Sequence, residues 1–306
     1  MPADNAILSV IICTMNRPRL LRQTLARLSA CRRPVNHELE ILLIDNACNR
    51  RTRELTEDFR DLPLRYIEEP RLGKFNALNH AVNRARGDCL VFLDDDILPH
   101  YDLFCVYEEA FDRHPEIHLF GGRIELALPE SHDADLVNLP HARLVLAQSN
   151  FGSIERLLNY PEMPAGPNMA ARRSGLGAEM FFEPIGQDGL SVELEDTTFF
   201  KRNMNKGQPV LYLPQARVGH VVRDEQLTLN YFQKRYADCV FAQKVMDDDD
   251  QHSMRLLNVP CHLLRTLALN ALTYPIGYTG SRSAKLTACV NISATWQLIS
   301  RYLQTK

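Results

Sequence analysis

The chain has 306 residues, 45% hydrophobic and 24% charged, which suits one large globular domain or a domain with an appended module. Its net charge of −3 argues against a general nucleic-acid binder. Eight cysteines stand singly with no C-x-x-C pair, which speaks against a zinc ribbon and fits a reducing compartment.

Strand and helix patterns alternate from the start. "ILSVIICT" is a continuous β-branched run, as expected of a strand buried on both faces. The segment "NRPRLLRQTLARLSAC" predicts a helix with Asn16 as N-cap, Pro18 in the first turn, and Leu20, Leu21, Thr24, Leu25 and Leu28 on one face. "LEILLID" and "LRYIEE" read as the second and third strands. "KFNALNHAVNRARG" reads as a helix with Phe75, Leu78, Ala81, Val82 and Ala85 inward and Gly87 as its stop. "CLVFLDDD" is the fourth strand. A helix from about Tyr101 to Arg113 and a strand "IHLFGGRIE" follow. This order implies an α/β fold with a parallel, doubly wound sheet.

From Pro129 to about Pro167 the pattern weakens into expected loops and short helices. "VELEDTTFFKRNMNKG" then reads as a helix, and "PVLYLP" and "ARVGHVV" as two strands. After Gln226 the chain looks helical to its end, with Phe232, Tyr236, Val240 and Phe241 as a stripe. No internal repeat is present. The expected division is 1–223, in two halves of about 1–125 and 126–223, followed by a helical extension over 224–306, with the boundary near Arg223 or in "MDDDDQHS".

The fourth strand ends in three like charges, Asp94, Asp95 and Asp96. Adjacent carboxylates repel and are costly to bury unpaired, so either water solvates them or a cation holds them. In an open α/β sheet, ligands bind beyond the carboxyl ends of the strands, where Thr14, Asn16 and Asp45 also fall. Mg2+ and Mn2+ prefer carboxylate oxygens and commonly share phosphate ligands, so such a cluster suits a nucleoside diphosphate. A second acidic run, Asp247 to Asp250, has no strand behind it and reads as a solvated helix end or loop.

These segments together resemble family 2 glycosyltransferases, which have the Rossmann-like GT-A fold. The resemblance lies in the apolar strand followed by Thr14-Met15-Asn16-Arg17, in "LLIDNA" with Asp45, and in Asp94-Asp95-Asp96. "PAGPNMAARRSGL", "ELEDTTFFKRNMNKG" and "YLPQARVGH" continue it in the family's order, over about residues 7 to 222. Position 13 is Cys where Pro is common. The resemblance implies an inverting transfer from a nucleoside-diphosphate sugar, UDP first among the bases, to a hydroxyl of a glycan or lipid-linked acceptor, with Mn2+ or Mg2+, and the absence of the processivity motif favours a single transfer.

Residue by residue, the resemblance implies that Asp45 reads the base and that Thr14, Asn16 and Arg17 line the nucleotide pocket with Asp94 and Asp95. Asp96 and Asp94 would ligate the metal. Lys74, and Arg71 beside it, precede a helix and would meet phosphate charge, or else form an exposed basic loop. Asn168 and Arg172 or Arg173 would sit near the transferred sugar or the acceptor, or serve as helix cap and surface charge. Asp196, with Glu195 second, is the expected general base. Glu193 and its acidic neighbours have a plainer use at a helix N-terminus. His220 would hold metal or diphosphate, or be structural.

Two other enzymes fit less well. A sugar-1-phosphate nucleotidyltransferase would want a Gly-rich loop where "CTMNRPR" has none. A phosphatase with an aspartyl nucleophile would not be followed by "ILPHY". A degenerate glycan-binding or scaffold protein is the non-enzyme alternative. The Gln-x-x-Arg-Trp motif of processive members is missing, and "YFQKRYADC" only echoes it with Gln233 and Arg235.

From Gln251 to Lys306 there is no Asp or Glu but six Lys or Arg, so this stretch is +6 and the remainder −9. Basic helices with apolar stripes suit an anionic bilayer surface, and equally packing on the sheet or a homodimer contact. No apolar run reaches the roughly 18 residues of a membrane span, and the first ten residues lack a signal-peptide pattern. The expected location is cytoplasmic, free or peripheral on the inner face of the cell membrane.

Overall fold

The computed structural model describes residues 6–176, 195–246, 255–256 and 259–304. Glu193 and the acidic run Asp247 to Asp250 lie outside them, as does the side chain of Glu195. Contacts divide the chain into two compact units. One comprises Met1–Ala127, Ser149–Glu183 and Glu195–Val221; the other comprises Leu128–Gln148, Pro184–Leu194 and Val222–Lys306.

The first unit is built on one sheet. In chain order its elements are β1 (Ile7–Thr14), α1 (Pro18–Ser29), β2 (Glu38–Asp45), α2 (Arg50–Thr56), β3 (Leu64–Glu68), α3 (Lys74–Arg84), β4 (Cys89–Asp94), β5 (Ile97–Pro99), α4 (Leu103–Arg113) and β6 (Leu119–Ala127). The second unit contributes the short helices α5 (Ala134–Val137) and α6 (Ala142–Val145). The first resumes with β7 (Arg156–Leu157), β8 (Asn168–Arg172), α7 (Glu195–Asn205) and β9 (Val210–Val221). Strand order is β3-β2-β1-β4-β8-β6-β9-β5, with β7 paired to β9.

The expected parallel layer is present as β3, β2, β1 and β4, and β6 with β9 is parallel too. Alternate side chains of these strands supply two cores. Val10, Ile12, Ile41, Leu43 and Val91 meet Leu21, Leu25 and Leu28 of α1 and Phe104, Tyr107 and Phe111 of α4. Ile11, Leu42, Ile44, Leu90 and Phe92 meet Ala77, Leu78, Ala81 and Val82 of α3 and Phe199 and Phe200 of α7. Helices therefore cover both faces, as a sheet with apolar residues on both sides requires.

Three expectations are corrected and one strand is added. β8, for which the sequence pattern offers no element, is a strand inserted antiparallel between β4 and β6. The two strands expected after α7 are one strand, β9, whose pairing with β6 jumps from Leu213 to Arg217 and so absorbs Pro214 in a bulge. Asn16 does not cap α1: it has φ 56°, and the helix starts after Arg17 without a side-chain cap. Gly87 does not stop α3, which ends at Arg84 with Ala85 extended. Gly87 is instead demanded by close packing, since a β-carbon there would lie 2.1 Å from the Ile7 carbonyl oxygen.

The second unit is helical, as expected of the C-terminal part. α8 (Leu229–Met246), a small ladder of β10 (Arg255–Leu256) with β11 (Val259–Pro260), α9 (Cys261–Thr279) and α10 (Arg282–Gln304) follow β9. Cys239, Phe241, Val259, Leu263, Leu298, Ile299 and Tyr302 form its core. Arg282 pairs with Asp133 and Asp135, and Arg301 pairs with Asp238 and lies over the Phe241 ring.

Candidate active site

Parallel register brings the carboxyl ends of β1, β2 and β4 to one sheet edge. Thr14 lies opposite Asp45, and Cys13 opposite Asp94. The chain then turns through Asp95 and Asp96 into β5, which pairs antiparallel with the end of β9 so that Ile97 faces His220. The Val221 N–H donates to the Asp96 carbonyl at 2.8 Å. Thr24 of α1, counted in the sequence only as part of an apolar face, accepts the Ile97 N–H at 3.1 Å and lies 2.9 Å from the Asp95 carbonyl. The aspartate turn is thus held from α1 and from β9.

The three aspartates have different partners. Asp95 is buried, accepting from the Thr14 hydroxyl at 2.5 Å and from Arg17 at 3.3 Å. Burial and the neighbouring Asp96 push its carboxyl up to about 6, against the pull of Arg17 and Thr14. Asp96, also buried, accepts from Arg17 at 3.4 Å, and its other oxygen is 3.5 Å from His220 Nε2. Asp94 accepts from Lys74 Nζ at 2.6 Å.

Lys74 opens α3, and the loop before it is fixed by Asn46, a residue the sequence did not single out. The Asn46 amide bonds the Glu69 and Arg71 carbonyls and the Gly73 N–H at 2.7–2.9 Å. Arg71 is held by the buried Glu69 through two hydrogen bonds, which outweigh burial and lower that carboxyl to about 2. Asp45 is buried, its oxygens taken by the Ala47 and Asn49 N–H groups and the Tyr66 hydroxyl at 2.7–3.0 Å. Asn16 is exposed on the same edge and accepts from Asn49 at 2.8 Å.

Asp196, in the first turn of α7, accepts the Gly166 N–H at 2.5 Å and the Thr197 N–H at 2.8 Å. Thr14, Arg17, Lys74, Asp94, Asp95, Asp96 and His220 therefore converge, and Asp196 and Lys74 both reach the space beside Gly166. The acceptor-side expectations fare differently. Asn168 is fully buried, accepting from Tyr107 at 2.7 Å and donating to the Arg123 and Ala216 carbonyls. β8 runs antiparallel to β4, so Arg172 lies opposite Cys89, at the far end from Asp94. There Arg172 binds the Ile117, Phe111 and His114 carbonyls, and Arg173 those of Gly87, Val82 and Ala85. Both arginines thus bind carbonyls at and just beyond the C-terminal ends of α4 and α3.

Among the described residues, no group of three or more His, Cys, Asp or Glu side chains is gathered to hold a metal ion. Asp96 offers carboxylate oxygen of the kind that Mn2+ and Mg2+ prefer, with His220 Nε2 3.5 Å from it.

Residues 9–144 match the family model described as Glycosyl transferase family 2. The matched segment, less than half of the chain, carries Thr14, Arg17, Asp45, Lys74 and the three aspartates. No curated protein sequence matches the chain. Solved structures give the fold. The crystal structure of S. aureus TarS 1–349 in complex with UDP is 15% identical, with a TM-score of 0.55, over 95% of this chain and 91% of that one. The chain spans only 54% of the S. aureus TarS chain in a further crystal structure, at 13% identity and a TM-score of 0.52 over 97% of this chain. The mannosyltransferase PcManGT from Pyrobaculum calidifontis, in complex with GDP-Man and Mn2+, is 18% identical, with a TM-score of 0.53, over 97% of this chain and 88% of that one. The fold is thus α/β of the GT-A type with a helical C-terminal part. Among the described residues, no helix is long and apolar enough to cross a membrane.

Proposed function

We propose that the chain is an inverting, metal-dependent glycosyltransferase. It moves a sugar from a nucleoside-diphosphate sugar, UDP-linked in the first instance, to a hydroxyl of a glycan or lipid-linked acceptor in a single transfer. The observation that carries this reading is the convergence of Thr14, Arg17, Lys74, Asp94, Asp95, Asp96 and His220 at one sheet edge, with Asp196 beside them.

In this reading Asp45 and Asn16 border the base, and Arg17 and Lys74 present positive charge to the diphosphate. Asp96 and His220, with Asp94, would hold Mn2+ or Mg2+, which when bound neutralises charge on the leaving diphosphate. Asp196 takes the proton of the acceptor hydroxyl. That oxygen forms the new bond to the anomeric carbon as the bond to the diphosphate breaks on the opposite face. The basic C-terminal helices serve an anionic bilayer surface at the cytoplasmic side, where a lipid-linked acceptor resides.

Thermal unfolding with UDP, GDP, dTDP and CMP, each with and without Mn2+, tests the reading. One nucleotide should stabilise the protein only with Mn2+, by about 2.7 kcal/mol at a hundredfold excess over Kd, and Asp96→Ala should abolish the effect. Failure of every nucleotide at millimolar concentration would remove it.

A further inference from the structure

Gly166 lies in the loop that leads into β8. Its φ lies outside the left-handed region, so backbone conformation does not demand glycine there. Room does. A β-carbon built on Gly166 would lie 2.9 Å from Asp196 Oδ2 and 3.0 Å from Lys74 Nζ, inside ordinary contact distance. Two charged side-chain ends, one from α7 and one from α3, thus converge on the space that any other residue would fill. The Gly166 N–H meanwhile donates to that same Asp196 oxygen at 2.5 Å, and Lys74 Nζ reaches Asp94 at 2.6 Å.

The obstruction is by side-chain ends rather than backbone. A methyl group at position 166 can therefore be accommodated by moving those ends, with the fold kept. Lys74 is tied to Asp94 and Asp196 to two N–H groups, so moving either end costs a contact, and removing Lys74 leaves the methyl group one direction in which to yield.

We infer that Gly166 is a positioning residue for the transfer step. Its N–H aims the Asp196 carboxylate, and its missing side chain lets the Lys74 ammonium stand beside both Asp94 and Asp196. One lysine then spaces the donor aspartate from the base. The inference rests on the transferase reading above and adds a residue outside the charged cluster, in a loop beyond the matched segment 9–144.

The test uses the full chain with Gly166→Ala, Lys74→Ala, the double variant and Asp196→Ala. Thermal unfolding without ligand reads the geometry. Gly166→Ala should lower Tm by about 2–4 °C, and the loss should shrink in the Lys74→Ala background. Nucleotide release with Mn2+ from UDP-glucose or GDP-mannose, whichever the wild type turns over, reads the positioning. In Gly166→Ala, kcat should fall about a hundredfold while the donor KM stays within about threefold, a split that general loosening of the fold would not give. Wild-type kcat in Gly166→Ala overturns the inference, and so does a loss shared equally by kcat, donor affinity and Tm. Release that is absent from the wild type, or indifferent to Asp196→Ala, removes the transferase reading and this inference with it. The ligand-free coupling between positions 166 and 74 would survive that result and so tells the two failures apart.

Discussion

Asn168 shows how a polar residue in a motif can be wholly committed to the fold. Its buried amide answers the Tyr107 hydroxyl and two carbonyls, so Asn168→Ala would strand three polar groups. Chemical denaturation should show a loss of about 3 kcal/mol or more, with the Mn2+-dependent nucleotide response of the surviving folded protein retained. Loss of that response without loss of stability would place Asn168 in the site instead. The aspartates, Thr14 and Arg17 were legible because strand ends and consecutive charges are local patterns. Asn46, Thr24 and Gly166 were not, because their importance lies in partners distant in sequence, such as Asp196 for Gly166. A motif gives no direction to the strand that carries it, so the place of Arg172 opposite Cys89 was not legible.

At the scale of elements, the β-branched runs of β1, β2 and β4 announced themselves. β8 did not, because Asn-Met-Ala-Ala-Arg has no β-branched residue and becomes a strand only between β4 and β6. β9 was split because Pro214 and Gln215 look like a break and are in fact a bulge. Away from the aspartates, the buried Glu40 joins several of these strands. It accepts from Ser9 of β1 at 2.6 Å, from Arg65 of β3 at 3.1 Å, and from the Arg86 backbone and side chain at 2.6 and 3.0 Å. Burial alone would raise its pKa, but these hydrogen bonds prevail and lower it to about 2. Because the folded value is depressed, Glu40 contributes stability above the usual carboxylate range and loses it as pH falls toward 2. Glu40→Gln should therefore cost about 2 kcal/mol at pH 7 and flatten the acid limb of stability between about pH 4.5 and 2. An unchanged acid limb would mean that the network carries no such linkage.

For the molecule as a whole, the sequence could not show that 128–148 groups with the C-terminal helices, since periodicity is local and unit membership is not. Nor does formal charge equal available charge, because Arg282 and Arg301 are already paired within the second unit. What α9 does expose is Leu269 and Leu272, on the face that carries Arg265. If that face meets a bilayer, the protein should sediment with vesicles containing anionic phospholipid and not with neutral ones. Binding should weaken with salt, at about 1 kcal/mol per engaged cation, and Leu269→Ser with Leu272→Ser should reduce it. Equal recovery of wild type and double variant would dismiss this face.

The pairing of β5 with β9 has a consequence for synthesis. The three aspartates leave the ribosome together, but His220, the residue that faces Ile97 across that ladder, is translated over a hundred residues later. At 5–20 residues per second the delay is roughly 6–25 s. For that interval the nascent chain carries its acidic turn without the strand that braces it. A chain halted between those points would display every aspartate of the motif and still lack the ladder that holds the turn in place.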